Sequence, residues 1–225
     1  MGTVLAFDIY GTLIDTHGVV TELSKHIGDR ATDFSRVWRD KQLEYTWRKG
    51  LMRRYENFAV CTQQALDYTD SVMQTGFDDS VKQALMQTYR VLPAFDDVAQ
   101  SLETLSQRDV RLYAFSNGLA DAVTGLLSHA GIDHFFDGVI SVDALQTFKP
   151  DPSVYHHVAE VTSTEIGRCW LVSSNGFDVI GAISTGLKAA WVQRSPDVVF
   201  DPWGIEPTVR IESLDQLAEL SFEDY

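Results

Sequence analysis

The hydrophobic pattern of the chain begins with a short apolar run that stops at an acid. Residues 4–7 are apolar, Asp8 follows directly, and the chain then turns through Gly11. This pattern predicts a buried strand that carries one carboxylate at its C-terminal edge. From Asp15 to about Leu92 the apolar residues recur at helical spacing, which predicts a block of helices with no strand among them.

From Pro93 onward the pattern alternates between helix and strand. Helices are predicted near residues 96–107, 120–130, 152–161 and 178–186 and from 213 on, and strands at 110–115, 138–141, 169–173, 189–193 and 208–211. Such alternation is typical of βαβ units and a parallel sheet. The predicted fold class is therefore α/β: a Rossmann-like parallel-sheet core formed by residues 1–15 and 93–225, with an inserted all-helical cap at residues 16–92. Asp8 would lie at the edge of the sheet where open α/β folds bind ligands.

Composition narrows the classes of partner. The 225 residues include 18 Lys and Arg against 32 Asp and Glu, a net charge of −14, which argues against nucleic acid and anionic membranes as partners. Any anion site must then be a local basic cluster. Cys61 and Cys169 have no metal-binding or redox spacing, and we expect reduced, buried thiols. Without a basic leader or a long apolar run, the sequence predicts a cytoplasmic protein.

The first motif resembles a known superfamily. Asp8-Ile9-Tyr10-Gly11-Thr12 is similar to motif I of the haloacid dehalogenase (HAD) superfamily, in which the strand-end Asp is a covalent nucleophile. Phosphatases of the superfamily carry a second Asp two residues later, as the acid that protonates an alkoxide. Tyr10 stands there in this chain, and a departing halide needs no proton, so the wording resembles the L-2-haloacid dehalogenase branch. Alone, Asp8 could equally be an ordinary turn or N-cap residue.

Two further motifs match the superfamily, and the first of them has the wording of the dehalogenase branch. Ser116-Asn117-Gly118 follows the second strand, where the superfamily holds the substrate anion with a Ser or Thr. Lys149, in Lys149-Pro150-Asp151-Pro152, matches the active-site lysine of the superfamily, which would keep Asp8 ionised. The alternatives are ordinary turn residues after the strand and a lone surface lysine.

The end of the fourth strand separates the dehalogenases from the phosphatases. Magnesium-dependent phosphatases carry two acids there, but this chain has Ser174 for the first and keeps only Asp178. Hard cations prefer several oxygen ligands including carboxylates. With Ser174 in that place and Lys149 supplying positive charge, a metal becomes unnecessary and poorly held, and no cofactor is expected. Ser173 and Asn175 complete the dehalogenase wording of this motif.

The helical block supplies the last motif. Residues 38–47 resemble the cap helix on which the dehalogenases carry a halide-binding arginine, which corresponds to Arg39, with Leu43 on the same face of the helix. Asp40 is an acid beside that arginine, and it either competes with the halide or points to solvent. The residues that match apolar pocket walls of the branch are Tyr10, Leu43, Phe58 and Phe177. For Phe58, the alternative is packing in the core. Tyr155 matches an active-site tyrosine, with Lys149 as a candidate hydrogen-bond partner.

The resemblance implies hydrolytic dehalogenation of short L-2-haloalkanoic acids to D-2-hydroxy acids. Asp8 would attack C2, and Asp178, with Ser173 and Asn175 nearby, would position water to hydrolyse the ester. Thr12 belongs to the loop that follows the nucleophile. Ser116, Lys149 and the backbone N–H groups of that loop would hold the substrate carboxylate. Arg39 and Asn117 would stabilise the departing halide. The six histidines receive no catalytic role. Relatives in this branch are commonly dimers, so a homodimer is expected. The alternatives are a HAD-type phosphatase, a specialised haloacetate or fluoroacetate dehalogenase, and a non-enzymatic binding protein on the same fold.

Overall fold

The computed structural model describes residues 2–222, and within them six strands form one parallel sheet in the order β3-β2-β1-β4-β5-β6. The strands are β1 (Thr3–Phe7), β2 (Val110–Ser116), β3 (Gly138–Ser141), β4 (Cys169–Ser173), β5 (Lys188–Val192) and β6 (Val209–Ile211). The order reverses beside β1, which pairs with β2 on one side and β4 on the other. The carboxyl end of β1 is thus the switch point at which folds of this kind bind ligands.

The helices divide into two sets along the chain. Between β1 and β2 lie α1 (His17–Ile27), α2 (Ala31–Leu51), α3 (Phe58–Met73), α4 (Asp79–Thr88) and α5 (Val98–Ser106). The helices that alternate with the remaining strands are α6 (Ala120–His129), α7 (Pro152–Thr162), α8 (Gly176–Thr185) and α9 (Leu214–Glu219). The α/β class is confirmed. The division into a 16–92 cap and a 1–15 plus 93–225 core stays a prediction, and residues 1 and 223–225 lie outside the described residues.

Helix α2 carries one side chain per turn into the interior of the helical block. Phe34, Trp38, Gln42 and Thr46 are buried at intervals of four residues, the spacing of one helix face. Trp38 Nε1 donates to the carbonyl oxygen of Thr62 over 2.9 Å, and Gln42 Nε2 donates to Thr62 Oγ1 over 2.6 Å. These bonds fix α2 against α3 and so fix where the side chains on its other faces point.

Two chain segments join the sheet to the helices of residues 17–88, and they pair with each other. Ile14 on the outgoing segment forms an antiparallel bridge with Ala94 on the returning one. Asp15 N donates to the carbonyl oxygen of Pro93, and Phe95 N donates to that of Leu13. Before this bridge, the outgoing segment turns at Gly11. Its φ of +80° is a backbone angle that residues other than glycine rarely adopt.

The described residues contain no helix with the length and apolar content needed to cross a bilayer.

Candidate active site

The strand-end residues predicted from the motifs meet at one edge of the sheet. Asp8 follows β1, Ser116 ends β2 and Ser173 ends β4, and parallel strands bring their carboxyl ends to the same edge. Lys149 reaches them from the loop before α7. This gathering follows from the topology alone.

The two oxygens of the Asp8 carboxylate are bonded unequally. Oδ2 accepts from Thr12 Oγ1 at 2.9 Å, from Asn175 Nδ2 at 2.7 Å and from Ser173 Oγ at 3.3 Å. Oδ1 accepts from Lys149 Nζ at 3.1 Å. The side chain is buried but not sealed, with 9 % of the residue exposed. Oδ1 therefore keeps more free lone-pair capacity than Oδ2.

Lys149 is a buried ammonium whose three N–H groups are all used. Nζ donates to Asp8 Oδ1, to Asp178 Oδ2 at 2.8 Å and to the carbonyl oxygen of Phe115 at 3.0 Å. Burial alone would lower the pKa of Lys149, but the carboxylates of Asp178 and Asp8 raise it above its ordinary value. An ammonium has three donors, so none remains for a substrate carboxylate. The contact of Lys149 with Asp8 is present in this geometry, whereas its predicted contact with a substrate carboxylate stays a prediction that requires one of these three bonds to be exchanged.

Asp178 is fully buried and is held on both oxygens. Lys149 bonds one oxygen, and Tyr155 Oη donates to Oδ1 over 2.8 Å. The expected bond from Tyr155 to Lys149 is therefore replaced by a bond to the acid beside it. Burial raises the pKa of Asp178, with Lys149 opposing and Asp8 adding to the rise. A raised pKa makes a carboxylate a better general base near neutral pH.

Arg39 reaches from α2 to the sheet edge and contacts Asn175. Arg39 Nη2 donates to Asn175 Oδ1 over 2.7 Å, and this bond orients the amide so that Nδ2 faces Asp8. Asp40 turns away from Arg39. Its side chain is 69 % exposed, and its nearest cation is Arg36 at 3.9 Å. Of the two alternatives for Asp40, the structure selects the solvent-facing one.

Ser116 and Asn117 are both bonded to backbone groups in this arrangement. Ser116 Oγ accepts from Gly118 N at 3.0 Å, and Asn117 Oδ1 accepts from Lys149 N at 3.0 Å. Each bond uses an acceptor, so the Ser116 hydroxyl hydrogen and the Asn117 amide hydrogens remain to donate. Both residues are buried. They can therefore present donors to an anion at the sheet edge.

The four residues predicted as apolar walls come from different elements. The ring of Tyr10 lies 6.2 Å from that of Phe58 between centroids, and the ring of Phe177 lies 5.3 Å from that of Trp47. Leu43 is half-buried. Burial raises the pKa of Tyr10 to about 12, so its hydroxyl stays neutral. Phe58 therefore packs beside Tyr10, another of the four residues predicted to line the substrate pocket.

Two aromatic residues, Tyr89 and Trp47, lie beside these predicted wall residues but were not predicted as part of the pocket. Tyr89 contacts Tyr10 at 6.0 Å and Trp38 at 5.1 Å between ring centroids. Trp47 stands four residues after Leu43 and eight after Arg39 on α2. The four-residue spacing could have identified Trp47. For Tyr89 the sequence offered only a helical pattern, typical of any core residue.

Neither position that carries an additional acid in the phosphatases has one here. Tyr10 takes the first and Ser174 the second. Ser174 Oγ donates to the carbonyl oxygen of Gly11 at 2.8 Å, and Ser174 N donates to Thr12 Oγ1 at 2.9 Å. Ser174 thus ties the nucleophile loop to the end of β4.

Comparison with known proteins identifies the family. The haloacid dehalogenase-like hydrolase family matches residues 3–186, and the chain belongs to that family. It is 37 % identical over 216 residues to an (S)-2-haloacid dehalogenase of Pseudomonas sp. strain YL, covering 96 % of this chain and 93 % of the relative. A haloacetate dehalogenase, H-2, of Moraxella sp. strain B is 35 % identical, with 96 % of each chain covered.

A solved structure extends the comparison to the whole fold. The L-2-haloacid dehalogenase of Xanthobacter autotrophicus with chloropropionic acid covalently bound superposes with a TM-score of 0.91 and 33 % identity, covering 98 % of both chains. The predicted resemblance to the L-2-haloacid dehalogenases is confirmed.

Proposed function

We propose that this chain is a hydrolytic dehalogenase that converts short L-2-haloalkanoic acids to D-2-hydroxy acids and halide. The observation that carries the proposal is the setting of Asp8. Thr12, Asn175 and Lys149 hold its carboxylate, while the places of the two phosphatase acids are taken by Tyr10 and Ser174. The relatives named above act on 2-haloacids and support the same substrate class.

In the first half-reaction Asp8 Oδ1 attacks C2 of the substrate from the face opposite the halogen. The new bond is the C2–Oδ1 ester bond, and the carbon–halogen bond breaks with its electron pair on the halide. Oδ1 is the better candidate because three donors already occupy Oδ2. Arg39 and Asn117 would stabilise the departing halide, and Ser116 with the N–H groups of the 8–12 loop would hold the substrate carboxylate.

In the second half-reaction water attacks the Asp8 carboxyl carbon. Asp178 takes a proton from the water, and the tetrahedral intermediate places its negative charge on Oδ2. The donors on Oδ2 then act as an oxyanion hole: Thr12 Oγ1, Ser173 Oγ and Asn175 Nδ2. When the intermediate collapses, the bond between the carboxyl carbon and Oδ1 breaks. The proton passes to the departing hydroxyl, and Asp8 is regenerated.

The test is halide release from L- and D-2-chloropropionate, before and after dialysis against EDTA. We expect release from the L enantiomer alone, at a rate that neither EDTA nor added magnesium changes. A generic phosphate ester should not be hydrolysed. Magnesium-dependent turnover of that ester would refute the proposal and support the phosphatase alternative.

A haloacetate-specific activity is the second candidate. The observation in its favour is the relative from Moraxella, a haloacetate dehalogenase 35 % identical to this chain. Comparing kcat/KM for chloroacetate, fluoroacetate and L-2-chloropropionate decides between the two. Fluoride release at a rate comparable to chloride release would favour the haloacetate branch.

We further propose that the protein acts as a cytoplasmic homodimer that needs no metal or cofactor, with nucleic acid and membranes playing no part. Two unpaired, buried cysteines suit a reducing compartment. An apolar groove of about 540 Å³ between the end of α2 and α8, with Leu51 and Trp203 at its rim, supports a contact between two copies. Light scattering on the native protein and on Leu51→Glu tests the dimer. A monomeric native protein would refute it.

A further inference from the structure

Arg194, which follows β5, contacts both segments that join the sheet to the helices of residues 17–88. On the outgoing segment, Nε and Nη2 donate to the carbonyl oxygen of Thr12 at 3.1 and 2.6 Å. On the returning segment, Nη1 donates to Asp97 Oδ2 at 2.6 Å, and the guanidinium lies 4.3 Å from the centre of the Phe95 ring. The side chain is 14 % exposed. Each of the three guanidinium nitrogens thus donates to one of the two connecting segments.

The returning segment is itself fixed to the core. Asp97 is the residue before α5, and its Oδ2 also accepts from Leu214 N at 2.8 Å at the start of α9. Between Thr12 and Asp97 the two segments pair through Ile14 and Ala94. Arg194 therefore links Thr12 on the outgoing segment to Asp97 on the returning one, and the Ile14–Ala94 bridge lies between these two links.

The carbonyl oxygen that Arg194 holds belongs to a residue that touches the nucleophile. Thr12 Oγ1 donates to Asp8 Oδ2 at 2.9 Å, and the same oxygen accepts from Ser174 N. The two bonds from Arg194 hold the carbonyl group of Thr12 in place, and a fixed backbone restricts the direction in which the Thr12 side chain points. Movement of the Thr12 backbone would lengthen the bond to Asp8.

We propose that Arg194 is a positioning residue for the proposed dehalogenation, acting through Thr12 on Asp8 and coupling the nucleophile loop to the returning segment. The proposal rests on the function proposed above. The side-chain bonds of Arg194 go to Thr12 and Asp97 and not to Asp8, so its effect on the Asp8 carboxylate would pass through Thr12. Its planar fork is required because an ammonium cannot bond the Thr12 carbonyl twice while also pairing with Asp97 at this geometry.

The chain offers a matched control in Arg108. Arg108 Nη1 and Nη2 donate to the carbonyl oxygens of Ala218 and Leu220 at 2.8 and 2.6 Å, and its guanidinium lies 5.1 Å from the centre of the Phe222 ring. Like Arg194 it bonds backbone carbonyl oxygens and lies over an aromatic ring, but among the described residues it has no carboxylate partner, and it holds the end of α9 and none of the site residues. Arg108→Lys therefore measures the structural cost of losing a guanidinium bonded to backbone carbonyl oxygens.

The experiment compares native protein, Arg194→Lys and Arg108→Lys in chloride release from L-2-chloropropionate, with Tm measured for each. We expect Arg194→Lys to lower kcat about tenfold or more with little change in KM, because charge-assisted bonds to the loop are lost. Arg108→Lys should lower Tm and keep native kcat. Equal kcat in the two variants would overturn the proposal, whereas a native protein that releases no halide would refute the proposed function instead.

Two measurements separate positioning from a general loss of structure. In Arg194→Ala, millimolar guanidinium should restore part of the lost kcat by occupying the site between Phe95 and Asp97, while urea at the same concentration should not. Hydrogen exchange does not depend on activity, and amides of residues 12–14 should exchange faster in Arg194→Lys than in Arg108→Lys. Unchanged exchange at these amides would overturn the proposal whether or not the protein dehalogenates.

Discussion

The contact between Arg39 and Asn175 allows the sharpest test of the proposed site. Arg39 Nη2 donates to Asn175 Oδ1 over 2.7 Å, and Asn175 Nδ2 donates to Asp8 Oδ2 over 2.7 Å. Arg39→Lys keeps the positive charge but loses the planar set of donors that could serve Asn175 and a halide together. The substitution therefore separates the contribution of geometry from that of charge.

The expected loss of turnover follows from the bonds that Arg39 makes. A hydrogen bond from a charged group contributes about 1.5–3 kcal/mol, which corresponds to roughly 10- to 150-fold in rate. Removing a preorganised donor from a developing charge lowers kcat by roughly 10²–10³. Because Arg39 would serve both Asn175 and the halide, we expect kcat to fall by roughly 10²–10³ in Arg39→Lys.

The assay is the initial rate of chloride release from L-2-chloropropionate, with Arg36→Lys as the control. Arg36 lies one turn earlier on α2 and pairs with Asp33 and Asp40 on the exposed side, so its variant should keep native kcat. Adding Asn175→Ala to Arg39→Lys should cost less than the two single effects combined, since the residues share one interaction. Near-native kcat in Arg39→Lys would refute the reasoning and make Arg39 a structural residue.

Three other predictions test the chemistry and the fold. In a single turnover in ¹⁸O-water with enzyme in excess, the label should enter Asp8 and not the product, as read by peptide mass spectrometry; label in the product hydroxyl alone would demote Asp8 from nucleophile to base. Asp178→Asn should accumulate the Asp8 ester. Burial raises the pKa of Asp178 above its ordinary 3.8, so in the native protein the rate of ester hydrolysis should fall as the pH falls through that raised pKa. A pH–rate profile with its midpoint at or below 3.8 would contradict the role of Asp178 as the general base. Trp38→Ala should lower the free energy of unfolding in urea by about 3–5 kcal/mol, because Trp38 is fully buried; a change close to zero would contradict the packing described for α2.

Local patterns predicted the sheet well and the helix ends less well. The strands at 138–141 and 169–173 have the predicted bounds, since turn residues and short apolar runs mark them. Helix α8 begins at Gly176, two residues before its predicted start. Asn175 precedes it as an N-cap residue would, but its side chain bonds Asp8 and Arg39 and makes no cap bond. A local sequence pattern cannot show that the Asn175 side chain bonds distant residues instead of capping the helix.

The same limit applies to the candidate site. Parallel topology brings Asp8, Ser116 and Ser173 together, so the sequence could place them at one edge of the sheet. The partners of each side chain depend on contacts between distant segments, as in the bond from Arg39 to Asn175, which are 136 positions apart. The choice of Tyr155 between Lys149 and Asp178 depends on rotamers and on packing, which no motif encodes.

The charges of the site set how an anionic substrate can be held. Lys149 and Arg39 supply two positive charges, and Asp8 and Asp178 supply two negative ones when both are ionised. The whole chain carries −14, so its net charge does not attract an anion at long range, and the four charged groups of the site sum to zero when all are ionised. Directional donors must bind the substrate carboxylate instead, and Ser116 has a hydroxyl hydrogen for that purpose.

Binding by directional donors predicts a weak response to salt. Added salt screens long-range attraction and repulsion alike, with a Debye length of about 10 Å at 0.1 M. For a net-neutral site on a negative protein, we expect sodium sulfate to leave the KM for L-2-chloropropionate unchanged or slightly lower. A site that relied on net positive charge would show a KM that rises with salt. Comparing KM at low and high sulfate, with kcat as the internal control, therefore decides whether geometry or charge binds the substrate.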